Sequence, residues 1–122
     1  MRLIDSHAHL LSEGFDDDRE VLLGELAEQM EAIMECASAP QDFPRVAELV
    51  QVYPFLYGAV GVHPEEIAAW SNQAAEQIAQ YLHCPKIQAV GEIGLDYHWQ
   101  PETAPLQKQA LVTQLELARS AN

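Results

Sequence analysis

The sequence has few basic residues, few cysteines and no long apolar segment. Only 6 lysines and arginines stand against 19 aspartates and glutamates in 122 residues, a formal net charge of −13. This balance argues against a basic surface that binds nucleic acid by releasing counterions, and leaves open a site where a bound metal supplies the positive charge. No apolar run approaches the roughly 20 residues that cross a bilayer, so no membrane contact is expected.

The two cysteines, Cys36 and Cys84, make neither a disulfide framework nor a CxxC pair. That usage favours a reducing compartment, and Asp5 comes too early for the apolar part of a signal peptide. We therefore expect a cytoplasmic protein. Hydrophobic residues make up 48% of the chain, which is too many for a disordered one. The length suits one domain, or part of one, with a modest core.

Strand-like and helix-like segments alternate along the chain. Apolar runs predict buried strands over residues 2–9, 32–37, 55–62 and 87–93. Helix starts are indicated at Asp16–Asp18, at Pro44, at Ser71 as an N-cap and at Pro105. The apolar faces predicted for the four helices are Leu22, Leu23, Leu26, Ala27 and Met30; Val46, Ala47, Leu49 and Val50; Ala74, Ala75, Ile78, Ala79 and Leu82; and Leu111, Leu115 and Ala118.

This β-α-β-α-β-α-β-α order predicts an α/β fold with a parallel sheet. Two architectures remain open, a small open α/β sheet and part of a (β/α)8 barrel, which normally needs about 250 residues. In both, the functional residues lie at the carboxyl ends of the strands.

The first predicted strand ends in two histidines, His7 and His9, whose side chains point the same way because strand side chains alternate. Two such rings can hold one divalent ion, and a nearby carboxylate such as Asp5 can fix a ring tautomer. Two hydrogen-bonded histidines in a polar loop are the alternative, and an HxH pattern by itself favours that alternative.

The third and fourth strands end in His63 and near Glu92. His63 precedes a proline and is therefore held extended, and a metal ligand, a phosphate donor and a plain loop residue all remain open for it. Glu92 is a carboxylate in an apolar strand, between Gly91 and Gly94, which let something approach the backbone closely. A salt bridge is the alternative, but the basic residues are poorly placed for it, and we favour a metal ligand.

Other candidates carry weaker signals. His83 and Cys84 follow a helix, at the amino end of the fourth strand, and are expected to be structural. His98 and Trp99 either line the site or are plain surface. Neither cysteine falls at the carboxyl end of a strand, and no Gly-rich phosphate loop is present, so nucleophilic catalysis and nucleotide-loop chemistry are not indicated.

Three segments together resemble the TatD family of metal-dependent deoxyribonucleases, in the amidohydrolase-like TIM-barrel superfamily. They are Ile4–His9, Gly61–Pro64 and Ala89–Tyr97, each at the end of an apolar strand. The resemblance implies that residues 1–122 are a single partial domain, units 1–4 of a (β/α)8 barrel. The barrel of the family continues into later strands that carry two further histidines and an aspartate, so the missing carboxyl-terminal half or self-association is expected as a partner.

By the same resemblance, His7 and His9 hold a metal, and Glu92 bridges two ions and is catalytic. Two divalent ions, of Zn, Mn, Mg or Ni, are expected in a complete site. The implied reaction is hydrolysis of DNA phosphodiester bonds by a metal-activated water.

The resemblance also assigns substrate contacts, with His63 near the phosphate and with Asp96 and Tyr97 at the rim. Glu65, after His63–Pro64, departs from the usual pattern and affects these contacts. The alternatives are a related metal hydrolase acting on an amide or ester, and an inert, self-associating fragment.

Overall fold

Four parallel strands alternate with four helices in the computed structural model, which describes residues 2–121. The strands are β1 (Leu3–Ala8), β2 (Met30–Cys36), β3 (Leu56–Val60) and β4 (Ile87–Val90), and the helices are α1 (Arg19–Gln29), α2 (Phe43–Val52), α3 (Asn72–Tyr81) and α4 (Ala104–Ser120). The strands lie side by side in chain order. The predicted α/β class with a parallel sheet is confirmed.

The core lies on the central strands, where residues from β2, β3 and the helices are fully covered. Ile33 pairs with Leu56 across β2 and β3, and Val60 pairs with Val90 across β3 and β4. Leu56 and Val60 are 0% exposed, as is Phe43 at the start of α2. Burial of a side chain of this size contributes about 1.5–3 kcal/mol, so these contacts hold the strand ends in place.

All four predicted helix starts are seen in the structure, including Pro105 in the first turn of α4. The hydroxyl of Ser71 accepts a bond of 3.0 Å from the backbone N–H of Ala74, as an N-cap does. Pro44 lies in the first turn of α2. The acidic run Asp16–Asp18 directly precedes α1, although its side chains make no cap bond.

The prediction that the first strand is buried was wrong. Leu3 and Ile4 are 54% and 71% exposed, and the other residues of β1 are exposed or half-buried. The reason is position, because within residues 2–121 β1 pairs with β2 alone and forms one edge of the sheet. An apolar run predicts a strand but does not say whether the strand has neighbours on both sides.

The predicted inward face of α4 was wrong at one of its three residues. Leu111 and Ala118 are half-buried, but Leu115 is 52% exposed, and the buried residues of α4 are Gln107, Ala110 and Gln114. The two buried amides are hydrogen-bonded to loop backbone, and such bonds offset the cost of burial.

Several element boundaries differ from the prediction as well, such as the third strand, which ends at Val60 and not at Val62. Met30 begins β2 rather than closing the face of α1. The fourth strand ends at Val90, so Glu92 and Ile93 lie beyond it.

Helices α1 to α4, all within residues 2–121, fall short of the length and apolarity that a membrane-crossing helix needs.

Candidate metal centre

The chain after β4 crosses the end of β3 and reaches β2. Gly91 donates from its backbone N–H to the carbonyl of Val60, at 3.0 Å, and Glu92 donates to the carbonyl of Ala37, at 2.9 Å. This path carries the Glu92 side chain toward the end of β1. The prediction that the Glu92 carboxylate is embedded in a strand was therefore wrong, because it lies at the carboxyl edge of the sheet.

Gly61 makes that crossing possible. A Cβ atom on Gly61 would lie 2.8 Å from the carbonyl carbon of Gly91 and 2.9 Å from the carbonyl oxygen of Glu92. A close approach to the backbone was expected at the two glycines that flank Glu92, and at Gly91 it is made by Gly61. A Cβ on Gly94 would meet nothing within 4 Å, and one on Gly91 would make only an ordinary contact at 3.6 Å. The residue that must lack a side chain is Gly61, which follows the neighbouring strand β3.

The side chains of His7, His9 and Glu92 meet in one cluster. The Nε2 atom of His7 lies 3.0 Å from Oε1 of Glu92, and the Nε2 atom of His9 lies 3.3 Å from Oε2. The two Nε2 atoms are 3.1 Å apart. Of the metal-ligating side chains in residues 2–121, these three form the group whose ligand atoms lie within 4.8 Å of one another.

The tautomer of His9 follows from a backbone contact. Its Nδ1 atom lies 3.1 Å from the carbonyl oxygen of Cys36, and because a carbonyl only accepts, Nδ1 carries the proton. The Nε2 lone pair then points into the cluster. Asp5, which we expected to orient a ring, instead accepts a bond from the backbone N–H of His7.

The spacing of the three ligand atoms suits one divalent ion. Donors about 2.1 Å from an ion lie about 3.0 Å apart at octahedral angles and about 3.4 Å apart at tetrahedral angles. The lone pair of His9 and the ionised carboxylate of Glu92 are both acceptors, so their 3.3 Å approach is unfavourable without a proton or a cation between them. The donor set therefore fits a metal ion, with the imidazoles half exposed on the open side.

Glu92 is held from the side of β2. The hydroxyl of Ser38 donates to Oε2 of Glu92 at 3.3 Å, and the carbonyl of Ser38 accepts from the backbone N–H of His63 at 2.8 Å. The Glu92 side chain is 19% exposed, so it is half-buried rather than buried. Ser38 thus connects the cluster to the turn that carries His63.

His63 lies outside the cluster, in a fixed tautomer. It is extended, with φ −62° and ψ 144°, as the following proline predicts. Its Nδ1 atom accepts a bond of 3.1 Å from the backbone N–H of Glu65. The proton of the neutral ring is therefore on Nε2, which makes this atom a donor.

Asp96 and Tyr97 also lie outside the cluster. The Asp96 carboxylate accepts bonds from the backbone N–H groups of His98 and Trp99, at 3.0 and 3.2 Å, and so holds its own turn. Tyr97 and Trp99 are 49% and 71% exposed. His83 and Cys84 lie in the turn before β4, as expected.

Glu35 in β2 is a buried carboxylate, 1% exposed, that was not predicted from the sequence. It accepts bonds from the backbone N–H groups of Leu10, at 2.7 Å, and Leu11, at 3.1 Å, and so holds the loop that follows His9. Burial raises the pKa of Glu35, against the opposing effect of these two bonds. The available signal was the one used for Glu92, a carboxylate inside an apolar run.

The sequence profile described as TatD related DNase matches residues 4–122. The chain belongs to this family. Among its relatives, the uncharacterized metal-dependent hydrolase YabD of Bacillus subtilis is 34% identical over 121 residues, which are 98% of this chain and 48% of YabD. The 3'-5' ssDNA/RNA exonuclease TatD of Pectobacterium atrosepticum is 31% identical over 119 residues, which are 95% of this chain and 45% of that protein.

Solved structures agree with this TatD family membership. The crystal structure of the TatD homologue YjjV from Escherichia coli matches with a TM-score of 0.87 and 34% identity, covering 98% of this chain and 48% of YjjV. The chain therefore spans about half the length of the curated relatives it matches. Its four βα units correspond to the first half of a TatD family barrel, which settles the choice between the two architectures.

Proposed function

We propose that this chain provides the amino-terminal part of the active site of a divalent-metal-dependent hydrolase that cleaves DNA phosphodiester bonds. The observation that carries the proposal is the cluster of His7, His9 and Glu92, whose ligand atoms are 3.0–3.3 Å apart. The relative from Pectobacterium atrosepticum, named an ssDNA/RNA exonuclease, supports a nucleic-acid substrate.

In the proposed mechanism, the three side chains of the cluster would hold the ion. The Cys36 carbonyl keeps His9 in the tautomer that ligates through Nε2. When bound, the metal supplies Lewis acidity, which activates a water nucleophile and neutralises charge on the phosphoryl oxygens. Glu92 faces each histidine with a different oxygen, so its carboxylate would hold the ion together with both rings. If a second ion binds, as the family resemblance implies, Glu92 would be shared with it, and the other ligands of that ion would come from outside this group.

The substrate is bound beside this cluster. His63 donates from Nε2 to a non-bridging phosphate oxygen, because its Nδ1 atom is already engaged by Glu65. Tyr97 contacts the sugar or base at the rim, and Asp96 sets the turn that presents it. We also propose that residues 1–122 form one partial domain and that the protein acts in the cytoplasm, where its unpaired cysteines stay reduced.

Metal content tests the cluster directly. After equilibration with Mn²⁺ or Zn²⁺ and dialysis, elemental analysis is expected to find about one ion per chain. His7→Ala and Glu92→Gln should lose it, while His83→Ala, which removes a histidine in the turn before β4, should retain it. Equal metal in all four proteins would contradict the proposed ligands.

Cleavage tests the reaction. With Mn²⁺, hydrolysis of an end-labelled single-stranded oligodeoxynucleotide is expected to exceed that of a simple ester or amide, and Glu92→Gln should reduce it at least about 100-fold. Since the relatives are about twice as long, the same variant is to be compared in a chain that carries a complete barrel. Faster turnover of the ester or amide would favour the related amidohydrolase-type activity instead.

A further inference from the structure

Helix α4 buries two glutamines on one face. Gln107 and Gln114 are 0% and 1% exposed and lie about two helical turns apart, with Ala110, 2% exposed, between them. Burial of an amide is costly unless both its donor and its acceptor find partners. The hydrogen-bond partners of these two amides therefore show what each buried glutamine holds in place.

Gln114 binds the backbone of the residue that precedes His63. Its Oε1 atom accepts a bond of 2.7 Å from the N–H of Val62, and its Nε2 atom donates to the carbonyl of Val62 at 3.3 Å. The side chain thus satisfies both backbone groups just beyond the end of β3, as a neighbouring strand would. From there the chain continues into His63, whose own N–H is bound by Ser38.

Gln107 does the same for the turn after β4. Its Oε1 atom accepts from the N–H of Asp96 at 2.7 Å, and its Nε2 atom donates to the carbonyl of Asp96 at 2.8 Å. The same Nε2 lies 3.1 Å from the carbonyl of Gln100 and 2.8 Å from the hydroxyl of Thr103. Gln100 in turn donates to the carbonyl of Glu65 at 2.7 Å, which joins the two turns.

We propose that Gln114 and Gln107 are positioning residues for the proposed substrate-binding turns. Gln114 holds the turn of His63, and Gln107 holds the turn of Asp96 and Tyr97, both at the carboxyl edge where the metal cluster lies. Each amide binds one backbone position through donor and acceptor together, so an apolar side chain of similar size cannot replace it. The function of these turns rests on the proposed function, but their placement by α4 can be measured without it.

The test uses Gln114→Met and Gln107→Met, which keep the approximate volume and remove the amide. In metal-free protein, Gln114→Met is expected to speed hydrogen exchange of the Val62 amide at least about 10-fold and to shift the ¹⁵N resonances of the His63 ring. The Asp96 amide should change little. Gln107→Met should give the reverse pattern, so each variant is the matched control for the other.

A third variant separates positioning from stability. Ala110→Gly weakens α4 between the two glutamines without removing either amide. Even if it lowers the melting temperature as much as the methionine variants do, it should leave both turns unchanged. If Ala110→Gly reproduces the changes, or if both methionine variants alter both turns alike, the glutamines act only through helix stability and the proposal is overturned. If a methionine variant does not fold, Gln114→Asn and Gln107→Asn, which shorten the side chain and keep the amide, must show the same selective pattern.

Substrate affinity links the placement to function. With Mn²⁺ bound, Gln114→Met is expected to weaken binding of a phosphorothioate oligonucleotide about 5-fold or more, with unchanged metal content. Unchanged affinity despite a displaced His63 ring would overturn the substrate role of this turn, while absence of metal from the unmodified protein would instead overturn the proposed function.

Discussion

Cys36 takes part in the site through its backbone and not through its thiol. Its carbonyl oxygen orients the ring of His9, while burial raises the pKa of the thiol to about 11, with the nearby charges of Glu92 and Glu35 as further causes. The thiol therefore stays protonated at neutral pH, and it is not one of the three side chains of the cluster. From the sequence, the thiol of Cys36 is the group that attracts attention, but the atom that contacts the site is its backbone carbonyl oxygen.

Cys36 is predicted to resist alkylation. At pH 8 a thiol with a pKa of about 11 is about 0.1% ionised, against about 10% for a thiol with the ordinary pKa of 9.0, so iodoacetamide should react about 100-fold more slowly with the folded protein than with protein in urea. Cys84→Ser isolates the Cys36 thiol for measurement by mass spectrometry. Similar rates in the two conditions would show that burial does not suppress the thiolate.

Gly61→Ala is predicted to disturb the path of Glu92. The added Cβ would come within 3.0 Å of the Gly91 and Glu92 backbone, which cannot move aside as a flexible side chain does, so we expect a loss of about 1–3 kcal/mol of stability and weaker Mn²⁺ binding. Gly94→Ala, with nothing within 4 Å, is the matched control and should leave both quantities near the parent values. Equal effects of the two substitutions would show that the close approach at Gly61 is unimportant.

At the scale of elements, buried polar side chains connect the strands and helices to the loops of the site. Glu35 on β2 binds the loop after β1, and Gln114 on α4 binds the end of β3. Backbone groups in a loop lack the partners that a helix or strand provides, and these two side chains supply hydrogen bonds in their place. A loop can then be buried without unpaired polar groups. Rigid elements thereby define the positions of His9 and His63.

Glu35→Gln is predicted to change the pH dependence of stability. Because burial raises the folded pKa of Glu35 above its usual 4.5, the folded state binds this proton more tightly than the unfolded state. The resulting stabilisation is fully present below pH 4.5 and is lost as pH rises through the folded pKa.

The measurement is urea unfolding of both proteins from about pH 4 to pH 8. The stability of the parent relative to Glu35→Gln should fall with rising pH and then level off. A parent that gains on Glu35→Gln as pH rises would mean that the two backbone bonds outweigh desolvation.

At the scale of the whole molecule, two features oppose each other. The net charge of −13 makes copies of the chain repel, and the exposed apolar edge at β1 favours association. Salt screens the first and leaves the second, with a Debye length that falls from about 30 Å at 0.01 M to about 8 Å at 0.15 M. The balance therefore depends on ionic strength.

We predict that the 122-residue chain associates with a second copy as salt is raised. Sedimentation should give 13.6 kDa at low salt and a larger, concentration-dependent mass at physiological salt. Ile4→Lys, on the exposed edge strand, should restore 13.6 kDa, while Val21→Lys, an equally charged change on α1, should not. A mass that stays at 13.6 kDa throughout would contradict self-association through β1.

The sequence by itself determined the order of the elements and which side chains lie near the strand ends. Apolar runs, helical spacing and helix-start residues are local patterns, so they predicted four βα units, the N-cap at Ser71 and Pro44 in the first turn of α2. Side-chain alternation and strand position likewise indicated that His7, His9 and Glu92 share one edge, where the structure brings them together.

Only the tertiary structure decided which groups meet across the fold. The Cys36 carbonyl on His9, the crossing at Gly61 and the buried glutamines of α4 each join segments far apart in the chain. A local pattern assigns a polar residue to the surface by default, and the cost of burying Gln107, Gln114 and Glu35 is met by backbone partners that exist only after folding. For the same reason, the exposure of Leu3, Ile4 and Leu115 follows from their neighbours in space and not from their own hydrophobicity.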